Sequence, residues 1–451
     1  MIARPTSTSR LADWLSYLET LHPKTIALGL DRVAEIARRL DIAIACPVFT
    51  VTGTNGKGST CAYLDAILRA GGYRVGLYTS PHLLRYNERV RIDGVEATDE
   101  ALSAAFDTVE KARGEVLLTY FEFGTLAALL MFEHAKLDAL VLEVGLGGRL
   151  DAVNVIDADI AIITSIGIDH VEYLGGTRES IGAEKAGVLR PGRFGVCADP
   201  DPPLSLLARA EEIGARLLRI GTDFGYLTDK TQWQFWMRRQ VVTRASAGRA
   251  DTAAATRVGE GELLRRSGLP HPALRGAIQV RNASAALTAL ELVSPRLAVP
   301  MQAIREGLVN VDWPARFQVL PGRPAIVLDV AHNPQAASIL ASNLGDMGYF
   351  GTTTAVFSIL ADKDIEGVAA AMTNRVDRWL VAPSEGARGA DVDRIRGALV
   401  VVGVRDSDIV DCTNVADALS RATADAGDAD RIVVFGSFVT IAAALKALHR
   451  D

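Results

Sequence analysis

The chain has 451 residues, of which 49% are hydrophobic and 23% charged, with 54 acidic residues against 48 basic ones. This ordinary globular composition excludes a disordered or fibrous chain, and a net charge of -6 lacks the basic excess of a nucleic-acid binder. No uncharged run could span a bilayer, the first residues lack the apolar core of a signal peptide, and the four cysteines form no CxxC pair. We therefore expect a cytoplasmic protein without nucleic-acid or membrane partners, long enough for two or three domains.

Short runs rich in valine and isoleucine alternate with helical patterns in the first half of the chain. This alternation is typical of a parallel sheet that helices cover on both faces. The predicted strands are Val48–Val51, Arg74–Tyr78, Ala139–Val144, Ile160–Ser165 and Gly195–Ala198. Between about Thr222 and Arg275 the pattern breaks down, and TQWQFWMRR alternates like an exposed hairpin, so we predict a small β-rich excursion there.

The second half of the chain begins with a segment that fits a linker, since Ser294–Pro300 contains two prolines. The α/β alternation then restarts, with predicted strands at Ala325–Val330, Thr353–Ile359, Trp379–Ala382 and Ile432–Phe435. We therefore predict an α/β protein of two domains. Residues 1–295 form a parallel-sheet domain that contains the excursion, and residues 296–451 form a smaller Rossmann-like domain.

The strongest motif is the glycine-rich turn within Val51–Thr60, which follows an apolar strand and opens a helix. Its glycines let the backbone present N–H groups to a phosphate, and the helix N-terminus adds positive potential. Lys57 would reach the β- and γ-phosphates, and Ser59 or Thr60 would hold Mg²⁺. An ordinary strand-to-helix turn is the alternative, but the placed lysine and hydroxyls favour a P-loop ATPase-like first domain.

The loop departs from the commonest phosphate-loop pattern, because Gly58 separates Lys57 from Ser59. The variant TGTNGKGS resembles the loop of the folylpolyglutamate synthase/dihydrofolate synthase family in the Mur ligase superfamily. Further motifs carry the same resemblance in family order: Leu28–Arg32, Thr79–Leu83, Phe121–Thr125, Glu143–Asp151, Ile166–His170, Glu184–Gly187, Arg281–Ala283, Arg316–Phe317 and Asp329–Pro334. The resemblance therefore extends over nearly the whole chain.

The resemblance implies an ATP-dependent ligase that adds L-glutamate to dihydropteroate and to the γ-carboxylate of reduced folates through an acyl phosphate. It implies two Mg²⁺ ions and leaves room for a monovalent cation, and we expect a monomer whose partners are these small molecules. Three alternatives stay open: a folylpolyglutamate synthase without the dihydropteroate activity, a Mur-type cell-wall ligase, and a non-enzymatic ATP-dependent switch. The cell-wall ligase is disfavoured because little chain precedes the phosphate loop for a further substrate domain.

Candidate metal ligands follow from the sheet and from the resemblance. Glu143 ends an apolar strand at the edge where parallel sheets bind ligands, and Mg²⁺ takes one or two carboxylates beside phosphate. The resemblance makes Glu143 a metal ligand together with Ser59, Ser80 and His170, while Asp169 would orient the imidazole of His170. It also implies that Lys185 is carbamylated and helps hold a metal, although a solvated helix lysine is the alternative.

The resemblance also assigns residues to each ligand and to catalysis. Those assigned to ATP are Asn55, Gly56, Lys57, Gly58, Ser59, Thr60, Asn282, Arg316 and Asp329, and those assigned to catalysis are Lys57, Lys185, Asp329 and His332. Those assigned to the pterin or folate are Ala27, Leu28, Gly29, Leu30, Phe121, Glu122, Phe123, Thr125, Leu150, Asp151 and Ala152. The chain also departs from the family at Ala315, Gln335, Ser358, Ile359 and Val439, none of which is a proposed metal or phosphate ligand.

Overall fold

The computed structural model describes residues 4–24, 26–238 and 262–448, and within them it confirms an α/β protein of two domains. The first domain is built on a sheet of eight described strands in the order β4-β3-β2-β5-β1-β6-β7-β8. Their bounds are β1 Val48–Thr52, β2 Val75–Tyr78, β3 Val90–Ile92, β4 Val95–Glu96, β5 Ala139–Glu143, β6 Ile160–Ile163, β7 Phe194–Cys197 and β8 Arg216–Arg219. β3 pairs antiparallel with both β2 and β4, and the other neighbours are parallel, as predicted.

Helices cover both faces of this sheet, because successive residues of its central strands point to opposite sides. In β5, Leu140 and Leu142 join one core, whereas Val141 joins the other. The first core is completed by α1 (Leu11–Leu21), α2 (Asp31–Arg39), α4 (Asp99–Arg113), α5 (Tyr120–His134), α7 (Arg178–Ala186) and α8 (Leu204–Glu212). The second is completed by α3 (Lys57–Ala70), α9 (Ala277–Leu292) and α10 (Met301–Asn310), and α6 (Val171–Leu174) is a single turn after β6.

The predicted β-rich excursion is present as an antiparallel sheet of β9 (Phe224–Thr228), β10 (Gln232–Arg238) and β11 (Leu263–Pro270). Its inner face is buried in the second core through Phe224, Trp233, Phe235, Met237 and Leu269. Residues 239–261 of the predicted segment lie outside the described residues. The excursion therefore extends the first domain instead of forming a separate one.

The second domain has a sheet of six described strands in the order β12-β13-β17-β14-β15-β16. Their bounds are β12 Gln318–Leu320, β13 Ala325–Asp329, β14 Thr353–Phe357, β15 Arg378–Val381, β16 Ile409–Asp411 and β17 Arg431–Phe435, and only β12 pairs antiparallel. One face packs against α11 (Pro334–Asp346), α12 (Ile365–Met372) and α13 (Val392–Val401), and the other against α14 (Val415–Asp425) and α15 (Phe438–Leu448). The sheet therefore matches the Rossmann-like expectation.

The helix α10 bears on where the first domain ends. Ile304 and Leu308 are buried in the second core of the first domain, and a Cβ added to Gly307 would lie 2.5 Å from Cγ1 of Ile67 in α3. The prolines of Ser294–Pro300 thus precede a helix of the first domain. The division between residues 295 and 296 remains a prediction, and this packing favours a crossing to the second domain after Val311.

Within the described residues, no helix combines the length and the apolar character that a membrane crossing requires.

Candidate active site between the domains

A cleft of about 950 Å³ lies between the two sheets. Residues just beyond the carboxyl ends of strands from both domains line it: Gly53 after β1, Ser80 after β2, Asp169 after β6 and Ser437 after β17. Glu143 and Asp329, the last residues of β5 and β13, line it too. Parallel α/β sheets place their ligands at this edge, so the cleft is the candidate active site.

The phosphate loop joins β1 to α3 at the floor of this cleft. Gly56 has a positive φ of 89°, and a Cβ there would lie 2.8 Å from Oδ1 of Asn282, so the position requires glycine twice over. The Lys57 ammonium donates to the carbonyl oxygens of Gly53 (3.0 Å) and Thr54 (3.3 Å). The loop therefore concentrates backbone N–H groups and one cation at a helix N-terminus, which suits a phosphate.

The two hydroxyls that the loop offers differ in position. Both are buried, but Ser59 lines the cleft, whereas Thr60 does not and donates to the Gly56 carbonyl oxygen at 3.0 Å. Of the two candidates for a metal ligand, Ser59 is the one that the fold brings to the site.

Arg316 adds a second cation from the segment that leads into the second domain. Its guanidinium lies 5.0 Å from the ring centroid of Phe438 and donates to the carbonyl oxygens of Pro314 and Ala315. Among the described residues no carboxylate forms an ion pair with it, and burial lowers its pKa. A partly buried guanidinium without a carboxylate partner is suited to an anionic ligand such as a phosphate.

Glu143 and Ser80 meet at the ends of neighbouring strands. The Ser80 backbone N–H donates to Oε2 of Glu143 at 3.1 Å. Burial raises the pKa of Glu143, while the charge of Lys57 and this hydrogen bond oppose the shift. A buried carboxylate beside hydroxyl groups is the kind of oxygen ligand that Mg²⁺ takes.

His170 precedes α6 in a left-handed conformation, with φ of 52°. Burial is the main cause that lowers its pKa to about 4, so the ring is neutral at pH 7 and able to bind a metal. Within the described residues, however, no three His, Cys, Asp or Glu side chains cluster in a way that could hold an ion. Hydroxyl, phosphate or water oxygens would have to complete any metal shell.

Lys185 lies in α7 with its side chain buried against the cleft. Burial, helped by the charge of Lys57, lowers the pKa of Lys185 to about 7, and no described carboxylate lies within ion-pair distance. Asp151 lines the same side, and burial raises its pKa to about 7 although the backbone N–H groups of Leu146 and Val153 donate to it. The site therefore keeps an amine that is much less protonated near neutral pH than an ordinary lysine.

The second domain contributes Asp329 and His332. The carboxylate of Asp329 accepts from the backbone N–H groups of Phe317 and Ala331, both at 2.8 Å, and burial raises its pKa to about 6. His332 Nδ1 lies 2.8 Å from the Val330 carbonyl oxygen, and its Nε2 lies 3.3 Å from Oδ2 of Asp169. The two ring nitrogens of His332 therefore face one oxygen in each domain.

Asp169 does not orient the imidazole of His170, which corrects the predicted role. Its Oδ1 accepts the His170 backbone N–H at 2.8 Å and the Lys363 ammonium at 2.6 Å, and its Oδ2 accepts from Asn333 at 3.1 Å. Burial raises its pKa, but the hydrogen bond and charge of His332 and the charge of Lys363 hold it well below the usual range. Asp169 is thus an interdomain contact, and the sequence analysis missed Lys363.

The predicted folate-binding residues divide into two groups. Those that line the cleft are Ala27, Leu28, Phe121, Glu122, Leu150, Asp151 and Ala152. Gly29, Leu30, Phe123 and Thr125 do not reach it: Phe123 packs among Trp14 and Phe106 in the core, and Thr125 donates to the Phe121 carbonyl oxygen at 2.9 Å. The structure thus supports only part of this set as contacts to a substrate.

The same wall of the cleft has a cation that sequence reasoning did not single out. The Arg89 guanidinium lies 5.2 Å from the Tyr86 ring centroid and 5.7 Å from that of Tyr120, and its Nε donates to His82 Nδ1 at 2.9 Å. Arg89, His82 and Tyr120 all line the cleft. The motif TSPHL, which contains His82, was the available signal.

Comparison with known proteins agrees with this geometry. Residues 51–290 match the Mur ligase middle domain, and residues 315–438 match the Mur ligase glutamate ligase domain. The chain is 43% identical over 445 residues to the dihydrofolate synthase/folylpolyglutamate synthase of Escherichia coli strain K12, covering 98% of this chain and 97% of that protein. The chain belongs to this family of Mur ligases.

Solved structures of the family superpose on nearly the whole chain. The E. coli FolC structure with DHPP and ADP covers 99% of both chains at 42% identity and a TM-score of 0.88. A bifunctional folylpolyglutamate synthase/dihydrofolate synthase with Mn, AMPPNP and L-glutamate bound covers 99% of this chain and 100% of its own at 44% identity and a TM-score of 0.86. The family fold, including the arrangement of both domains around the cleft, is therefore shared.

Proposed function

We propose that the chain is an ATP-dependent ligase that joins L-glutamate to dihydropteroate and to the γ-carboxylate of reduced folates. The observation that carries this proposal is the position of two cations, Lys57 and Arg316, in one interdomain cleft whose far wall holds Phe121, Leu150 and Asp151. The names of the curated relatives and the ADP, DHPP and L-glutamate in their solved structures support it.

The reaction proceeds in two steps. A carboxylate oxygen of the acceptor attacks the γ-phosphorus of ATP, and the bond between this phosphorus and the oxygen that bridges it to the β-phosphate breaks. The products of this step are an acyl phosphate and ADP. The amine of L-glutamate then attacks the acyl carbon, the carbon–oxygen bond to phosphate breaks, and the amide, inorganic phosphate and a proton are released. Lys57 and Arg316 stabilise the charge that develops on the phosphoryl oxygens, which is usually the largest catalytic contribution.

His332 is the group that we assign to the second domain's side of the reaction. It lines the cleft on the side of the second domain, and its Nε2 lies 3.3 Å from Oδ2 of Asp169, so it contacts the first domain at the edge of the cleft. Asp329 accepts from the backbone N–H groups of Phe317, before β12, and Ala331, after β13, and so holds these two segments together at the cleft. Its roles in catalysis and ATP binding stay predictions.

Glu143, Ser59 and Ser80 would supply oxygen ligands to two Mg²⁺ ions, and His170 would add the imidazole that the resemblance assigns to one of them. When bound, Mg²⁺ neutralises phosphate charge and orients the transferred group. We propose that Lys185 is carbamylated, because a buried amine with a lowered pKa can react with CO₂ and the added anion would supply a second carboxylate-like ligand beside Glu143. A monovalent cation remains a further expectation.

A coupled assay of ADP release tests this function. Dihydropteroate and tetrahydrofolate are compared as acceptors, each with and without L-glutamate. We expect the enzyme to act as a monomer in the cytoplasm. Sustained ADP release should require both an acceptor and glutamate. Glutamate-dependent activity with tetrahydrofolate but not with dihydropteroate would favour a monofunctional folylpolyglutamate synthase. ADP release that depends on neither the acceptor nor glutamate would favour an ATP-dependent switch.

A further inference from the structure

The phosphate loop is contacted from outside its own domain on both sides of Lys57. Asn55, two residues before the lysine, meets the second domain, and Gly58, the residue after it, meets the segment that links the domains. We propose that Asn333 and Trp313 are positioning residues that clamp the phosphate loop, so that the nucleotide site is complete only while the domains are docked. This inference rests on the proposed function.

The contact at Asn55 is a reciprocal pair of amides. Asn55 Nδ2 donates to Asn333 Oδ1 at 3.2 Å, and Asn333 Nδ2 donates back to Asn55 Oδ1 at 3.1 Å. Gln335 joins the pair by accepting from Asn55 Nδ2 at 2.8 Å. The position of Gln335 is one at which this chain departs from its family, and here its amide has a defined contact with the phosphate loop.

The orientation of the Asn333 amide is set by two further hydrogen bonds. Its Oδ1 accepts the Ala336 backbone N–H at 2.9 Å, which caps α11, and its Nδ2 donates to the Asp169 carboxylate at 3.1 Å. An N–H group requires the oxygen and a carboxylate requires the NH₂ group, so the amide cannot be reversed. Asn333 is 3% exposed and thus offers Asn55 one fixed hydrogen-bonding face.

Asn55 is equally fixed on the side of the first domain. Its backbone N–H donates to Ser165 Oγ at 3.0 Å, and its carbonyl oxygen accepts from Thr164 Oγ1 at 2.7 Å. The residues that follow β6 therefore hold the backbone of the loop, while the side chain of Asn55 forms hydrogen bonds with the second domain. Moving the domains apart would break the amide pair and release one end of the loop.

The contact at Gly58 explains the additional glycine of this loop. Gly58 lies in α3 and, unlike Gly56, does not have a positive φ, so its backbone conformation does not require glycine. A Cβ at Gly58 would instead lie 2.7 Å from Trp313 Nε1 and 3.6 Å from Arg316 Nη2. The glycine leaves room for the linking segment, and the Arg91 guanidinium lies 5.2 Å from the centroid of the Trp313 ring.

Both contacts couple nucleotide binding to domain docking, and such coupling acts in both directions. Binding of ADP at the loop should favour the docked form, and loss of either contact should weaken ADP binding. Both quantities can be measured with ADP alone, by calorimetry and by the radius of gyration in small-angle scattering, without an acceptor or glutamate. A failed ligase assay would therefore leave this test intact.

The first variant is Asn333→Asp, which keeps the oxygen that caps α11 but replaces the NH₂ group that Asn55 and Asp169 require. Its control is Asn414→Asp, since Asn414 caps α14 by accepting the Asp417 backbone N–H far from the cleft. We expect Asn333→Asp to weaken ADP binding at least tenfold and to abolish the compaction that ADP causes. Equal affinity and compaction in the two variants would overturn the role of Asn333.

The second variant pair tests the contact between Gly58 and Trp313. Gly58→Ala should weaken ADP binding because the methyl group meets the indole, and the double variant Gly58→Ala, Trp313→Ala should recover at least part of the affinity by restoring room. The circular dichroism of each variant checks that it folds. If Gly58→Ala weakens ADP binding equally with and without the indole, the clamp at Gly58 is wrong.

Discussion

Lys363 in the second domain donates to Asp169 in the first across 2.6 Å, and their side chains are only 7% and 8% exposed. This ion pair adjoins the amide pair of Asn55 and Asn333, because Asn333 donates to the same carboxylate. Removing the ammonium from a buried carboxylate is costly, because the contacts that Asp169 keeps with His332 and Asn333 do not replace the ion pair at Oδ1. The docking of the domains therefore depends on this pair.

Lys363→Met should lower the free energy of unfolding by about 3 kcal/mol, the lower end of the range for an orphaned buried charge. Lys111→Met is the matched control, because Lys111 also lies 2.6 Å from a carboxylate, that of Asp107, but its side chain is 69% exposed. Exposed pairs contribute about 1 kcal/mol or less. Denaturant unfolding of both variants measures the difference, and equal losses would show that the Lys363 pair is no stronger than a surface pair.

The phosphate loop and the strands around it could be predicted because their signals are local. A run of buried β-branched residues, a glycine-rich turn and a helix follow one another within about twenty residues of sequence. The pair of Lys363 and Asp169 could not, since 194 positions separate the two residues and only the packing of the domains brings them together. The strands β3, β4, β8, β12 and β16 are not predicted from the sequence, because strands of two to four residues at or next to a sheet edge have little pattern.

Some of the predicted folate-binding residues do not line the cleft, and the reason is different. Phe121 and Phe123 were assigned to the substrate together, but they lie two positions apart in α5, and residues at this spacing face different sides of a helix. Phe121 lines the cleft, whereas Phe123 is buried against Trp14 and Phe106. A motif match therefore indicates which segment reaches a site, while the helical period decides which of its residues do.

Lys57→Ala should abolish turnover and leave the fold intact. Loss of a preorganised charge at the transferred phosphoryl group costs on the order of 10²–10³ in rate. Steady-state assays at saturating MgATP measure kcat, and Lys111→Ala serves as the control for removal of a lysine from a helix. Near-wild-type turnover of Lys57→Ala would exclude the phosphate-loop assignment.

Glu143→Ala and His170→Ala should raise the Mg²⁺ concentration needed for half-maximal activity, with little change in the KM for glutamate. Even residues that only support metal ligands change metal affinity by on the order of 10–100-fold, so direct ligands should do at least as much. Titration of Mg²⁺ at fixed substrates measures the shift. Glu133→Ala and His134→Ala, which remove a neighbouring pair on the surface of α5, should show none. An unchanged Mg²⁺ requirement in both site variants would return them to a structural role.

Lys185 should carry a carbamate in the active enzyme. Formation of the carbamate from CO₂ requires the uncharged amine. Burial lowers the pKa of Lys185 to about 7, so the fraction of uncharged amine grows as the pH rises through 7. An ordinary lysine, with a pKa near 10.4, would be almost wholly protonated there. Activity after removal of CO₂ should therefore recover on addition of bicarbonate, and faster at pH 8 than at pH 6.

Two variants separate the carbamate from a simple cation at this position. Lys185→Ala should be nearly inactive, with partial rescue by short carboxylic acids that supply the missing anion. Lys185→Arg keeps the positive charge but cannot form the carbamate, so it should stay inactive with or without bicarbonate. Because carbamates are labile, the decisive comparison is activity in CO₂-depleted against bicarbonate-supplied buffer. Equal activity in both buffers, with full activity of Lys185→Ala, would refute the modification.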